Sequence, residues 1–219
     1  MAFSLVRSRR ASRRTHVIGE LPMPGVVLLA GLGVVAALGV LGAVTAHHDL
    51  SSRWFDLDGE YNVPAAWSAG LLVAAGALAA VVGRRPAWRA ATGLAVLFAF
   101  MGLDEAVAIH ERLEALTGID WQLLYVPVVL VGGVAWLALW RRGRTVARFR
   151  PALAAGSAAW FVAQVLEKVQ WHGDVKAAHY DLMMVLEELL EMTGSLLFLI
   201  AVLLVARRVG VRLRATGRG

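Results

Sequence analysis

Asp104, Glu105, His110 and Glu111 stand inside the stretch Phe98–Glu114, FAFMGLDEAVAIHERLE, which is otherwise apolar enough to enter a membrane. Glu187, Glu188 and Glu191 stand inside a second stretch, Leu182–Gly194, LMMVLEELLEMTG. A third, Trp160–Asp174, carries Glu167, Lys168, His172 and Asp174. Ionisable groups in a spanning helix are costly, so they face a bundle interior or a watery cavity and mark function. Carboxylate oxygens together with imidazole nitrogen are the donor set of iron, manganese or zinc. The spacing matches no established metal motif: there is no Glu-x-x-His and no His-Glu-x-x-His, and His110-Glu111 is followed three residues on by the acid Glu114. Bundles that hold two irons are therefore an analogy of residue type alone.

Composition says what kind of element carries these groups. The chain is 58% hydrophobic with a mean hydropathy of +0.63, values of a membrane protein rather than of a soluble core. The net charge of +6 is no nucleic-acid signal, because the arginines cluster between apolar segments. The absence of cysteine excludes disulfides, thiolate metal sites and Cys nucleophiles, and says nothing of compartment.

Six apolar segments are each near the roughly 20 residues that a bilayer core requires. They are Gly25–Ala46, Ala65–Gly83, Trp88–His110, Trp121–Trp140, Pro151–Trp171 and Leu182–Ala206. The expected architecture is all-α: a polytopic membrane protein with six transmembrane helices in one bundle, over residues 21–206. A basic arm (1–20), expected to be disordered, precedes it, and a basic tail (207–219) follows. Gly25–Ala46 is too long for the h-region of a cleaved signal peptide, although Ala43-Val44-Thr45-Ala46 has the small residues of a cleavage site. The first two segments are rich in Gly and Ala, so they are expected to pack on each other backbone to backbone. Pro127 is expected to kink the fourth.

Loop charge sets the topology. Of the 22 Lys and Arg, 18 fall on the side that holds both termini, which the positive-inside rule places in the cytoplasm of a cell membrane. Acidic residues do the reverse: Glu20 alone of the 16 lies on that side. Five of the six histidines also lie on the outer side. Trp54, Trp67, Trp88, Trp121, Trp140 and Trp171 fall near segment ends, as interfacial anchors do.

Depth then brings the chemistry together. At about 1.5 Å per residue, Asp104 is roughly 20 Å along a helix entered near residue 90 from inside. Glu187 to Glu191 lie about 7–14 Å down from the outer face, and Glu167 about 24 Å from the inner one. Three separate counts therefore give one layer in a core about 30 Å thick. Asp104 and Glu111, seven apart, share one face of an unbroken helix, as do Glu187, Glu191 and Gly194. The outer loop FDLDGEYNVP adds Asp58 and Glu60, either as caps of the next helix or as a lid on the cluster.

FDLDGEYNVPAAWSAGLL, LDEAVAIHERL and LEELLEMTGSLLF resemble three blocks of a widespread family of small multi-pass bacterial membrane proteins. Those proteins carry similar Asp-Leu-Asp-x-Glu, Leu-Asp-Glu…Ile-His-Glu and Glu-Glu…Glu-Met-x-Gly blocks. The resemblance spans nearly the whole chain. It implies that Glu60, Asp104, Glu105, His110, Glu111, Glu187, Glu188 and Glu191 are the positions that matter, and it supplies no chemistry.

The residues leave four readings. In the first, Asp104, His110, Glu111, Glu187 and Glu191 coordinate a divalent metal (Fe, Mn or Zn), with Glu60, Glu105, Glu167, His172 and Glu188 as supporting or substitute ligands. A catalytic metal there would serve hydrolysis or oxidation of a lipid-like substrate. In the second, the acids carry protons or cations across the membrane, although the inner halves of the helices show few polar groups. In the third, the layer performs metal-free acid/base chemistry on a lipid or polyprenoid, because crowded carboxylates cannot all ionise and one must hold a proton. In the fourth, Glu167, Lys168 and Arg112 pair with the acids and merely hold helices together. The expected partners are membrane lipids, not nucleic acid.

Overall fold

The computed structural model describes residues 15–47, 54–59, 61–172 and 175–216. Helices dominate it. They are α1 (Pro24–His47), α2 (Val63–Gly83), α3 (Ala90–Val107), α4 (Ile109–Thr117), α5 (Trp121–Arg142), α6 (Phe149–Val169) and α7 (Tyr180–Arg208). Strand β1 (Thr15–Glu20) lies at the end of the basic arm. Strands β2 (Trp171–His172) and β3 (Val175–Lys176) form a small hairpin, and β4 (Arg212–Thr216) lies in the tail. β1 and β4 pair antiparallel and so join the two ends of the described chain.

Five helices are long and apolar enough to cross a membrane: α1, α2, α3, α5 and α7. The sixth expected span, α6, is a helix of suitable length whose hydropathy is diluted by Arg150, Ser157, Gln164, Glu167 and Lys168. Its outward face, with Val162, Val165 and Val169, is apolar and exposed. Ser157, Gln164 and Glu167 turn into the bundle. α5 runs without interruption through Pro127.

α7 is the hub: α1, α2 and α6 all pack on it, α3 packs on α2, and α5 packs on α3. The expected pairing of α1 with α2 is corrected. Gly31 and Gly39 of α1 face Leu196 and Leu189 of α7, and Gly76 of α2 faces the backbone of α3 at Ala95 and Ala99. Small residues permit a close neighbour without selecting which one it is. α6 and α7 approach closely at Gly156 and Gly194, where a Cβ on either would lie 3.1 Å from the other's carbonyl oxygen.

The third expected segment is not one helix. Ala108 takes a left-handed conformation (φ 47°, ψ 56°), ending α3 and starting α4. Asp104 therefore does not share a helix face with Glu111, which lies on α4 and is exposed. The cause lies in Asp104 itself: its Oδ1 accepts the backbone N–H of His110 at 2.9 Å, satisfying a donor of the first turn of α4. α2 has a local cap instead, since Asn62 Oδ1 accepts the Ala65 N–H at 2.7 Å and Pro64 occupies the first turn.

The apolar core is concentrated at the arginine-rich end. There Leu72, Leu94, Phe98, Phe149, Leu153 and Phe198 are buried beside Trp88 and Val146, and the rings of Phe98 and Phe198 lie 4.8 Å apart. The acid-rich end is hollow.

Candidate functional site

The hollow is a cavity of about 790 Å³ bounded by α3, α5, α6 and α7 and roofed by Leu57, Asp58 and Gly59 of the loop between α1 and α2. Its lower walls are apolar and aromatic, with Phe98, Val128, Trp136, Trp160 and Phe161 among them. Its upper end holds Asp104, Glu105, His110, Glu111, Glu167, Glu187, Glu188 and Glu191. The three ionisable stretches thus meet at one cavity.

Asp104 is the most connected of them. Besides the His110 N–H, its Oδ1 accepts the Tyr125 hydroxyl at 2.9 Å, and its Oδ2 lies 3.2 Å from His110 Nδ1. The His110 and Asp104 side chains are only 17% and 13% exposed. A ring whose Nδ1 proton is held by a carboxylate has Nε2 as its basic nitrogen. Aromatic rings close around this pair. His110 lies 4.9 Å from Trp121 between ring centroids, and Tyr125 lies 5.2 Å from both Trp121 and Phe100.

Three further acids accept hydrogen bonds from neutral donors. Trp121 Nε1–H donates to Glu167 at 2.9 Å, Gln164 Nε2 donates to Glu191 at 3.2 Å, and Gln170 Nε2 donates to Glu187. Three cations of the acid-rich end have the following partners. Lys168 pairs with Asp120, and Arg112 donates to the Tyr61 hydroxyl at 2.7 Å. Lys176 reaches Asp58 at 3.0 Å, beside the Tyr180 hydroxyl that donates to the same carboxylate. Asp58 therefore ties the loop between α1 and α2 to β3 and α7 at the rim of the cavity, and Asn62, not Asp58, caps α2.

Of the expected metal ligands, Asp104 and His110 are in contact, whereas Glu187 and Glu191 each bond to a different glutamine and Glu111 is exposed on α4. Among the described residues no three His, Asp or Glu side chains converge closely enough to hold a metal ion. Glu60 and the side chain of His172 lie outside the described residues, as do His48, Asp49 and Asp174.

Several residues of the site were not singled out by the sequence. Tyr125, Gln122 and Gln170 are neutral, and one neutral polar group in an apolar segment is a weak signal. Their common depth with the acids is what could have found them. Trp121 reads from sequence as an interfacial anchor; in the structure it holds Glu167 and packs on His110.

The wall between α5 and α6 is unusual. These neighbours in sequence are not packed backbone to backbone. Side chains bridge them: Trp121 to Glu167 and Gln122 to the Gln164 carbonyl at the acid-rich end, then Trp136 Nε1–H to Ser157 Oγ at 2.9 Å. At the arginine-rich end Arg150 donates to the Trp140 carbonyl at 2.8 Å. Between the Gln122 and Trp136 bridges the cavity is flanked by Val129, Gly133 and Phe161, all of them exposed.

A family model described as a domain of unknown function, DUF8692, matches residues 25–206. No curated protein and no solved structure matches the chain.

Proposed function

We propose, from the premise that this chain belongs to the DUF8692 family, a domain of unknown function, that it takes a lipid-like molecule sideways from the bilayer and performs acid/base chemistry on its head. In this reading α6 spans with the five more apolar helices, because Ser157, Gln164 and Glu167 turn inward. The arginine-rich end is cytoplasmic by the positive-inside rule, and the cavity serves the outer leaflet.

The gap between α5 and α6 carries the reading. From the Gln122 bridge to the Trp136 bridge is about 21 Å of helix, room for a lipid chain along an apolar and aromatic wall. Such a chain would place its head among Asp104, His110, Glu187 and Glu191. His110, oriented by Asp104, serves as the general base, and a protonated carboxylate of the same layer serves as the acid.

The test is a variant that fills the gap. Gly133 is exposed, lines the cavity and has nothing within 4 Å of where a Cβ would stand. Gly133→Phe should leave the unfolding temperature unchanged or slightly higher, since Gly is about 1 kcal/mol unfavourable in a helix interior. It should also lose at least about nine-tenths of any lipid that co-purifies with the wild-type protein and is identified by mass spectrometry, a tenfold loss of affinity. Equal lipid on both proteins, or none on either, overturns the reading.

A divalent metal held by Asp104, His110, Glu111, Glu187 and Glu191 is a second reading, favoured by the presence of carboxylate and imidazole donors around one cavity. It requires Glu187 and Glu191 to leave their glutamine partners and converge. Elemental analysis of protein purified in mild detergent decides it. Stoichiometric iron, manganese or zinc that vanishes in Glu187→Ala and Glu191→Ala establishes the metal. Folded, metal-free protein that retains lipid removes it.

A further inference from the structure

We propose that α5 is a lateral gate: its acid-rich end swings away from α6 to admit the head of the lipid-like molecule, while its arginine-rich end stays hinged on α6. This deepens the reading above and rests on it.

The height of the α5–α6 bridges is why a gate is needed. A lipid in a bilayer travels with its chain along the helices and its head at one end. The chain can slide in between the Gln122 and Trp136 bridges. The head arrives at the depth of Asp104, His110, Glu187 and Glu191, and there two bridges cross its path, Trp121 to Glu167 and Gln122 to the Gln164 carbonyl. Both are tied into that layer, since Trp121 packs on His110 and Gln164 donates to Glu191. A polar head at that level can take over the hydrogen bonds that the bridges give up.

The build of α5 makes it the part that moves. It buries only Gly132 and Leu139, both past its midpoint toward the arginine-rich end. Its close approaches to α3, Ala135 on Gly93 and Gly132 on Leu97, lie in the same region. Residues 121–131 of α5 include none that is buried, and side-chain bonds hold them: the Tyr125 hydroxyl on Asp104 and the two bridges to α6. Pro127 lies in this half and gives no N–H to the Leu123 carbonyl, which makes it the natural place for the helix to bend. The tether that leads into this end is pliant too, because α4 buries no residue and lies between two left-handed residues, Ala108 and Gly118. α6, by contrast, is closely crossed by α7 at Gly156.

The other end is fixed. Residues 143–148 join α5 to α6, and Gly143 packs against the Phe149 ring. Arg150 donates to the Trp140 carbonyl and lies 5.1 Å from the centroid of its ring. Trp140 stacks on Trp136, which bonds to Ser157. A helix hinged at one end and latched at the other by a few hydrogen bonds opens at the latch.

The chain has no cysteine, so a thiol pair can be placed at the latch alone. Gln122→Cys and Gln164→Cys are made together and joined by a bis-methanethiosulfonate reagent, whose links a reducing agent cleaves. The full chain, carrying its co-purified lipid, is placed in vesicles of deuterated total lipid from the same cells. Mass spectrometry of the re-isolated protein follows the replacement of light bound lipid by heavy. Joining the thiols should slow replacement at least about tenfold, and reduction should restore it, showing that the joined protein was folded. Gln122→Leu, which removes one bridge and joins nothing, should speed replacement about three- to tenfold. Replacement as fast with joined thiols as with free ones overturns the gate, and side entry then stands on the lipid loss in Gly133→Phe. Equal slowing by the reagent on Gln122→Cys alone also overturns the gate, because bulk and not closure is then the cause. If the wild-type protein carries no lipid to replace, the gate and side entry fall together.

Discussion

Asp104→Ala is expected to lower stability by on the order of 3 kcal/mol and to abolish the proposed acid/base activity. The carboxylate accepts three donors, the His110 N–H, the Tyr125 hydroxyl and His110 Nδ1–H. Hydrogen bonds to a charged group each contribute about 1.5–3 kcal/mol, less when removed together because the partners relax. The loss falls on two elements at once, since the same carboxylate caps α4 and fixes the ring of His110. Asp104→Asn separates the two roles. An amide oxygen can still accept the His110 N–H, so the loss should shrink to about 1 kcal/mol. Its NH₂ group cannot hold the Nδ1 proton, so His110 loses the tautomer that makes Nε2 basic. Thermal unfolding followed by circular dichroism measures the first effect, and turnover of whichever lipid co-purifies measures the second. If Asp104→Ala unfolds like the wild type, the clasp between α3 and α4 does not hold them.

Gly194→Val is expected to be more damaging to the bundle than any exposed change of equal size. A Cβ there would lie 2.5 Å from Cδ1 of Trp160 and 3.1 Å from the Gly156 carbonyl oxygen. Trp160 could move only by giving up its bond to Ser195 Oγ, 3.2 Å away, and the backbone at Gly156 cannot move without α6. Overpacking of this kind typically costs about 1–3 kcal/mol, and more where backbone is struck. The branched methyls of valine add to it, so a loss of 3 kcal/mol or more is expected, seen as poor recovery of folded protein from membranes. Gly33→Ala is the control. Nothing stands within 4 Å of that position, so the change should stabilise α1 by about 0.5–1 kcal/mol. Equal recovery of Gly194→Val and Gly33→Ala would mean that α6 and α7 are not closely crossed.

The places of the long helices were legible because each needs some twenty apolar residues, and the acids that line the cavity were legible because charge is conspicuous in such a run. The break at Ala108 was not. Phe98–Glu114 holds no proline, and alanine is the best helix former. A left-handed alanine costs roughly 1–2 kcal/mol, and the bonds of Asp104 across the break offset it. A contact between residues on either side of an irregular turn leaves no periodic trace. The neighbours of α1 and α2 were hidden for a related reason, since glycine and alanine reveal a readiness to be approached and not the identity of the approaching helix. The gap between α5 and α6 was equally unreadable. It is defined by which helices fail to pack, and hydropathy does not record it.

The position of α7 at the centre of the packing also dictates an order of assembly. α1, α2 and α6 all rest on it, and Arg207 at its end reaches back to the backbone carbonyl of Leu21. During synthesis the earliest helix therefore emerges long before the surface that will receive it. Until the ribosome has delivered residues 180–208, α1 and α6 lack their main packing partner, and Gly31 and Gly39 of α1 and Gly156 of α6 stand uncovered. A truncation before Tyr180 would thus strand a set of helices with nothing at their centre, which makes the final helix the step that commits the nascent chain to its fold.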